Sequence, residues 1–123
     1  MKRLIFVLLV IGFAILKALE QDFELKKINF QGNKTLSARE LHSILVSKES
    51  PSKFWQILYK VNKRLGDKPQ YLERIKVAND IISLRNYYLD NGFFDVRIDT
   101  LIYYNDESKE AILNFLVDEG KPY

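Results

Sequence analysis

The sequence predicts an α+β fold. Its form is a β-α-α-β-β two-layer sandwich, a three-stranded mixed sheet with two helices on one face, preceded by an N-terminal hydrophobic helix. Three observations predict it. Phe94, Val96 and Ile98 alternate with Asp95, Arg97 and Asp99, and a polar turn separates them from a second apolar row at Leu113, Phe115 and Val117, the pattern of a hairpin with one wet face. Two helical stretches, opened at Ser37 and closed at Asn91-Gly92, lie between this hairpin and an earlier strand. An unbroken apolar run over residues 4–16 precedes everything else.

That run is thirteen residues long and follows the basic Met1-Lys2-Arg3. A membrane-spanning helix needs about 20 apolar residues, and Lys17, Glu20, Asp22 and Glu24 close the run off. Its length and flanks are those of a signal peptide over residues 1–18, cleaved after Ala18, with 19–22 as the mature N-terminal segment. Lys2, Arg3 and Lys17 precede or abut the run while the following residues are acidic. The positive-inside rule therefore places everything after Ala18 outside the cytoplasm, whether the leader is removed or kept as an anchor.

Residues 23–30 read as the first strand, with Ile28 and Phe30 alternating with Lys27 and Asn29 and with Gln31-Gly32-Asn33 ending it. Ser37 with Glu40 three residues on is a capping box for a short helix reaching Val46, with Leu41, Ile44 and Leu45 at helical spacing. A longer helix is expected over 72–90, with Leu72, Ile75, Ala78, Ile82 and Leu89 on its apolar face and Arg74, Lys76, Asp80 and Arg85 elsewhere. Gly92 follows it in the position that takes the left-handed conformation. The hairpin strands are expected over 93–104 and up to Asp118-Glu119-Gly120, joined by Asn105-Asp106-Glu107-Ser108. Between the helices lies an insert, 47–70, with six basic residues against two acidic ones around Phe54-Trp55.

Composition closes several functional classes. Of the 19 Lys and Arg, three lie in the leader, so 16 basic residues face 16 acidic ones in the remainder, without the global basic field of a nucleic-acid binder. The chain has no cysteine, hence no disulfide, thiolate zinc site, thiol nucleophile or lipid-acceptor cysteine. His42 is the single histidine, so no paired-histidine metal motif exists and His42 reads as a helix surface residue. Asp118 and Glu119 adjoin at a strand end and point opposite ways, so they do not form a catalytic carboxylate pair. No enzyme activity, cofactor or metal is expected.

Three stretches carry a resemblance. They are Lys27-Ile28-Asn29-Phe30-Gln31-Gly32-Asn33; Asp80 followed by Tyr87-Tyr88-Leu89-Asp90-Asn91-Gly92-Phe93-Phe94-Asp95; and Val117-Asp118-Glu119-Gly120-Lys121-Pro122-Tyr123. In this order, behind a signal peptide, they resemble the POTRA domain of outer-membrane protein assembly factors of the BamA and TamA group. The resemblance covers 23–120, with Gly32, Asn33, Tyr88, Gly92 and Gly120 as its structural motif and 121–123 as the start of a linker to a following domain. The insert departs from a minimal POTRA domain. The family's members continue into further POTRA copies and a membrane β-barrel, so the chain is expected to be the N-terminal part of such a protein.

The resemblance implies a periplasmic module, tethered to the outer membrane in the intact protein. It would bind unfolded outer-membrane proteins, neighbouring POTRA domains or assembly accessory proteins during membrane protein insertion. The physical counterpart is an exposed strand edge that pairs with another chain by β-augmentation. The expected edge is the strand over 93–104, with Arg97, Asp99, Leu101 and Tyr103 on its outer row and a proline at Arg97 removing one of its donors. The insert offers a second surface, an amphipathic helix in which Trp55, Lys60, Lys63 and Arg64 meet lipid or a partner, unless it packs on its own domain. The competing role for the same fold is an inner-membrane-anchored division protein of the FtsQ type.

Overall fold

The computed structural model describes residues 1–19 and 22–121, the side chains of 14–19 excepted. Glu20 and Gln21 of the expected mature segment, and Pro122 and Tyr123 of the expected linker, lie outside the described residues. Helix α1 runs Lys2–Leu19. Among the described residues no helix is long and apolar enough to cross a membrane. Strand β1 (Glu24–Gln31) follows, then helices α2 (Ala38–Ser43), α3 (Lys53–Val61) and α4 (Arg74–Asp90), then strands β2 (Arg97–Asn105) and β3 (Glu110–Asp118).

The sheet has the order β1-β3-β2. β3 pairs parallel with β1 and antiparallel with β2, so the expected mixed three-stranded sheet forms with the last strand at its centre. Centrality explains the burial of β3: Leu113 and Phe115 are fully buried, and Val117 nearly so. They meet Leu25 and Ile28 of β1, Leu41 of α2, and Val77, Leu84 and Tyr88 of α4 in one core. Phe30 stacks on Phe115 at 5.3 Å between ring centroids. Among the described residues no helix covers the opposite face of the sheet, and there Asn29 Nδ2 donates to Asn114 Oδ1 (3.1 Å) while Asn114 Nδ2 donates to the Leu101 carbonyl (3.2 Å).

Several expectations shift. The buried stripe of α4 is Val77, Asp80, Leu84 and Tyr88, whereas Ile75 and Ile82 are 78% and 58% exposed. At about 100° per residue the helix carries two apolar stripes, one through Ile75, Ala78 and Ile82 and one through Val77, Ile81, Leu84 and Tyr88. Periodicity alone does not rank them. Packing selects the second because Tyr88 and Asp80 reach partners only on that side. β2 begins at Arg97, four residues later than expected, because residues 91–93 close the helix: Gly92 N donates to the Leu89 carbonyl and Phe93 N to the Tyr88 carbonyl (both 3.0 Å), a Schellman motif. Phe93 is therefore in the core and Phe94 exposed, the reverse of the alternation read from the sequence. α2 stops at Ser43, short of Val46, and the insert contains a helix of its own, α3.

Candidate functional site: the open edge of the sheet

An edge strand presents unpaired N–H and C=O groups. The two edges here are β1 and β2, and they are treated differently. The stems of the insert are stitched along β1. Leu25 N donates to the Gln70 carbonyl (2.8 Å), Ser50 N to the Leu25 carbonyl (2.7 Å) and Leu72 N to the Phe23 carbonyl (2.8 Å). Ile28 N donates to Glu49 Oε1 (3.0 Å), and Gln70 N to Ser50 Oγ (2.9 Å), which ties the stems to each other. A bulge between Leu25 and Lys27 shifts the pleat so that both Leu25 and Ile28 present their backbone outward to these partners.

β2 has no such cover among the described residues. In an antiparallel ladder, residues alternate between those bonded to the neighbouring strand and those whose backbone points away. Thr100 N donates to Asp99 Oδ1 on its own strand (2.8 Å), and the hairpin closes at the Asn105–Glu110 pair. Together these fix the alternation: Arg97, Asp99, Leu101, Tyr103 and Asn105 bond to β3, and Ile98, Thr100, Ile102 and Tyr104 direct their backbone groups outward. The expected outer row of Arg97, Asp99, Leu101 and Tyr103 is indeed exposed, but its side chains lie on the helix-free face of the sheet. The pairing groups at the edge belong to the alternate residues. A proline at Arg97 would thus break the ladder to Asp118 rather than the edge, which corrects the expectation for that position.

Two buried carboxylates hold the scaffold behind this edge, and sequence reading gave neither a role. Asp80, fully buried on α4, accepts from Val46 N (2.6 Å) and Ser47 N (3.1 Å), fixing the chain where it leaves the α2 region. Its placement among the non-core positions of the helix is overturned. Glu119 accepts from Thr35 N (2.9 Å), Thr35 Oγ1 (2.8 Å) and the Tyr88 hydroxyl (3.0 Å), tying the end of β3 to the β1–α2 loop and to α4. Burial pushes the Glu119 carboxyl up, but the hydrogen bonds from Thr35, Tyr88 and the Leu36 backbone outweigh it and hold it below its ordinary value. Burial, then the Glu119 carboxylate, push the Tyr88 phenol far above its own. Continuing the in-out alternation of Leu113, Phe115 and Val117 by two residues would have flagged Glu119 as inward-facing. Asp80 left no such signal.

The other motif residues serve the same junction. Gly32 has φ +86°, and a Cβ there would stand 1.9 Å from the Val117 carbonyl oxygen. Asn33 Nδ2 donates to the Leu36 carbonyl (2.9 Å), and Gly120 N to Asp118 Oδ1 (3.1 Å). Glu40 N donates to the Ser37 cap (3.1 Å), while the Glu40 carboxylate accepts from the Tyr87 hydroxyl. In the insert, Trp55, Lys60, Lys63 and Arg64 are all exposed. Among the described residues no group of His, Cys, Asp or Glu is placed to hold a metal ion.

Residues 23–120 match the family model described as POTRA, surface antigen variable number repeat. No curated protein matches the sequence. Among solved structures, the chain is similar to POTRA domains 3–5 of Haemophilus influenzae BamA, with a TM-score of 0.61, 24% identity, and 84% of this chain and 36% of that one covered. It is also similar to POTRA domain 4 of Haemophilus influenzae BamA, with a TM-score of 0.59, 14% identity, and 82% and 95% covered. At these identities the likeness is one of fold. The chain spans little more than a third of the three-domain structure's length.

Proposed function

The chain belongs to the POTRA family, and from that premise we propose that it is an exported, periplasmic module of an outer-membrane protein assembly factor that binds extended polypeptide as an added strand along β2. The observation that carries this reading is the asymmetry of the two edges. β1 is closed by the stems of the insert, and β2 is left with outward backbone groups at Ile98, Thr100, Ile102 and Tyr104. Main-chain pairing supplies affinity without demanding a particular client sequence, which suits a handler of diverse unfolded barrels or a neighbouring POTRA copy. The exposed Leu101 and Tyr103 extend that strand's contact area on the helix-free face.

Asp99 tempers the edge. Its carboxylate occupies the Thr100 N–H that an incoming strand needs, a local guard against indiscriminate pairing. The reading is tested by fluorescence anisotropy of a labelled peptide with the alternating pattern of a transmembrane β-strand, titrated with the full chain. Thr100→Pro removes an outward donor and should weaken binding by about tenfold, one net hydrogen bond at the upper end of the usual 0.5–1.5 kcal/mol. Asp99→Ala frees the same donor and should strengthen binding. Unchanged affinity in Thr100→Pro, with circular dichroism intact, would remove β2 as the site.

A further inference from the structure

Helix α3 is mounted with its apolar side outward. At about 100° per residue, Phe54, Ile57 and Val61 fall within an arc of about 60°, and they are 63%, 60% and 77% exposed. No residue of the helix is buried. It is held from other sides: Gln56 Nε2 donates to Glu24 Oε1 (2.7 Å) and to the Pro51 carbonyl (2.9 Å). The Gly66 turn folds back onto the helix, Asp67 N donating to the Trp55 carbonyl (3.2 Å). A Cβ at Gly66 would stand 2.1 Å from that carbonyl oxygen, so the approach is close. An amphipathic helix that merely completed a core would be rotated to bury Phe54, Ile57 and Val61.

Charge identifies what the outward face fits. Lys53 and Lys60 both lie along one side of the apolar arc, and Lys63, Arg64 and Lys68 follow it, with Asp67 as the one acidic residue over 53–68. Leu65, also exposed, adds to the apolar patch among these cations. Apolar side chains at the centre with long cationic side chains beside them is the pattern of a helix lying in the headgroup layer of an anionic membrane. We propose that α3 and the turn after it form a peripheral contact with an anionic lipid surface, holding the domain by the side of β1 and leaving β2 free. The insert then has two roles, closing one sheet edge and orienting the module, and neither depends on the client-binding reading.

The full chain also carries the apolar α1, so co-sedimentation with vesicles is not diagnostic and a local probe is needed. The absence of cysteine allows Ile57→Cys, an exposed position, to be labelled uniquely with an environment-sensitive fluorophore; Asn79→Cys on α4 is the control. With phosphatidylglycerol-containing vesicles the label at 57 should shift to the blue, and the label at 79 should not. The shift should fall with added salt and be absent with phosphatidylcholine alone. Replacing Lys53 and Lys60 by Gln should weaken it by roughly fivefold per lysine, the equivalent of about 1 kcal/mol each. No shift at 57 while the chain sediments with vesicles, an equal shift on phosphatidylcholine, or a lipid-free shift that grows with protein concentration would each overturn the proposal, the last in favour of a second copy of the chain.

Discussion

Replacing Glu119 tests whether the junction between the end of β3, the β1–α2 loop and α4 is held as the structure indicates. The carboxylate accepts from Thr35 N, Thr35 Oγ1 and the Tyr88 hydroxyl, and Tyr88 is fully buried. Glu119→Ala strands that hydroxyl, a loss of about 1–3 kcal/mol, and removes the bonds to Thr35, which water can partly replace at about 1 kcal/mol. The sum is about 2–4 kcal/mol. At about 4–8 °C per kcal/mol for a domain of this size, the melting temperature should fall by about 10–30 °C. Glu119→Gln differs. Its carbonyl can still accept from Thr35 N and the Tyr88 hydroxyl, and its amide can donate to Thr35 Oγ1, so it should lose only the charge assistance, about 1 kcal/mol. Because the Glu119 carboxyl is lowered in the fold, its contribution is complete above the unfolded-state value near 4.5 and is lost as pH falls through the lower folded value. Urea melts of the full chain followed by circular dichroism at neutral and acid pH measure both effects. If Glu119→Ala costs no more than Glu119→Gln, or if Glu119→Gln unfolds in acid as steeply as the parent, the network is not what holds the junction.

Other outcomes follow from the same geometry. Asp80→Ala orphans the amides of Val46 and Ser47, the latter buried, and should cost about 2–4 kcal/mol in urea, whereas mutation of the exposed Asp90 on the same helix should stay within about 0.5 kcal/mol. Gly32→Ala combines a left-handed backbone with a collision against the Val117 carbonyl, so thermal melts should show a loss above about 2 kcal/mol; a neutral result would mean β1 and β3 separate there without penalty.

Much of the fold was legible because its rules are local. The in-out alternation of Leu113, Phe115 and Val117, the Ser37 cap and the Asn91-Gly92 helix end each depend on residues within one turn or one strand. Where two local rules competed, the sequence misled. Phe94 continues an alternating pattern, yet Gly92 commits Phe93 to the helix-closing turn, and the turn wins because it satisfies buried carbonyls. The candidate strand was identifiable, but its edge was not: side chains on the open face and outward backbone groups belong to alternate residues of β2, a distinction that appears only with the register against β3.

The sequence by itself determined the three strands and the two helices between them, the family's punctuation at Gly32, Gly92 and Gly120, and a charge-balanced, cysteine-free stretch after an apolar N-terminal run. Tertiary structure alone decided which of two apolar stripes of α4 faces the core, where Asp80 and Glu119 spend their charge, and that the insert closes β1 while turning Phe54, Ile57 and Val61 to the outside. The physical reason is range. Turns, caps and alternation are fixed by neighbours in the chain, whereas burial of a carboxylate, closure of an edge and the rotation of a helix depend on partners about 20 to 80 residues away, whose approach no local pattern encodes.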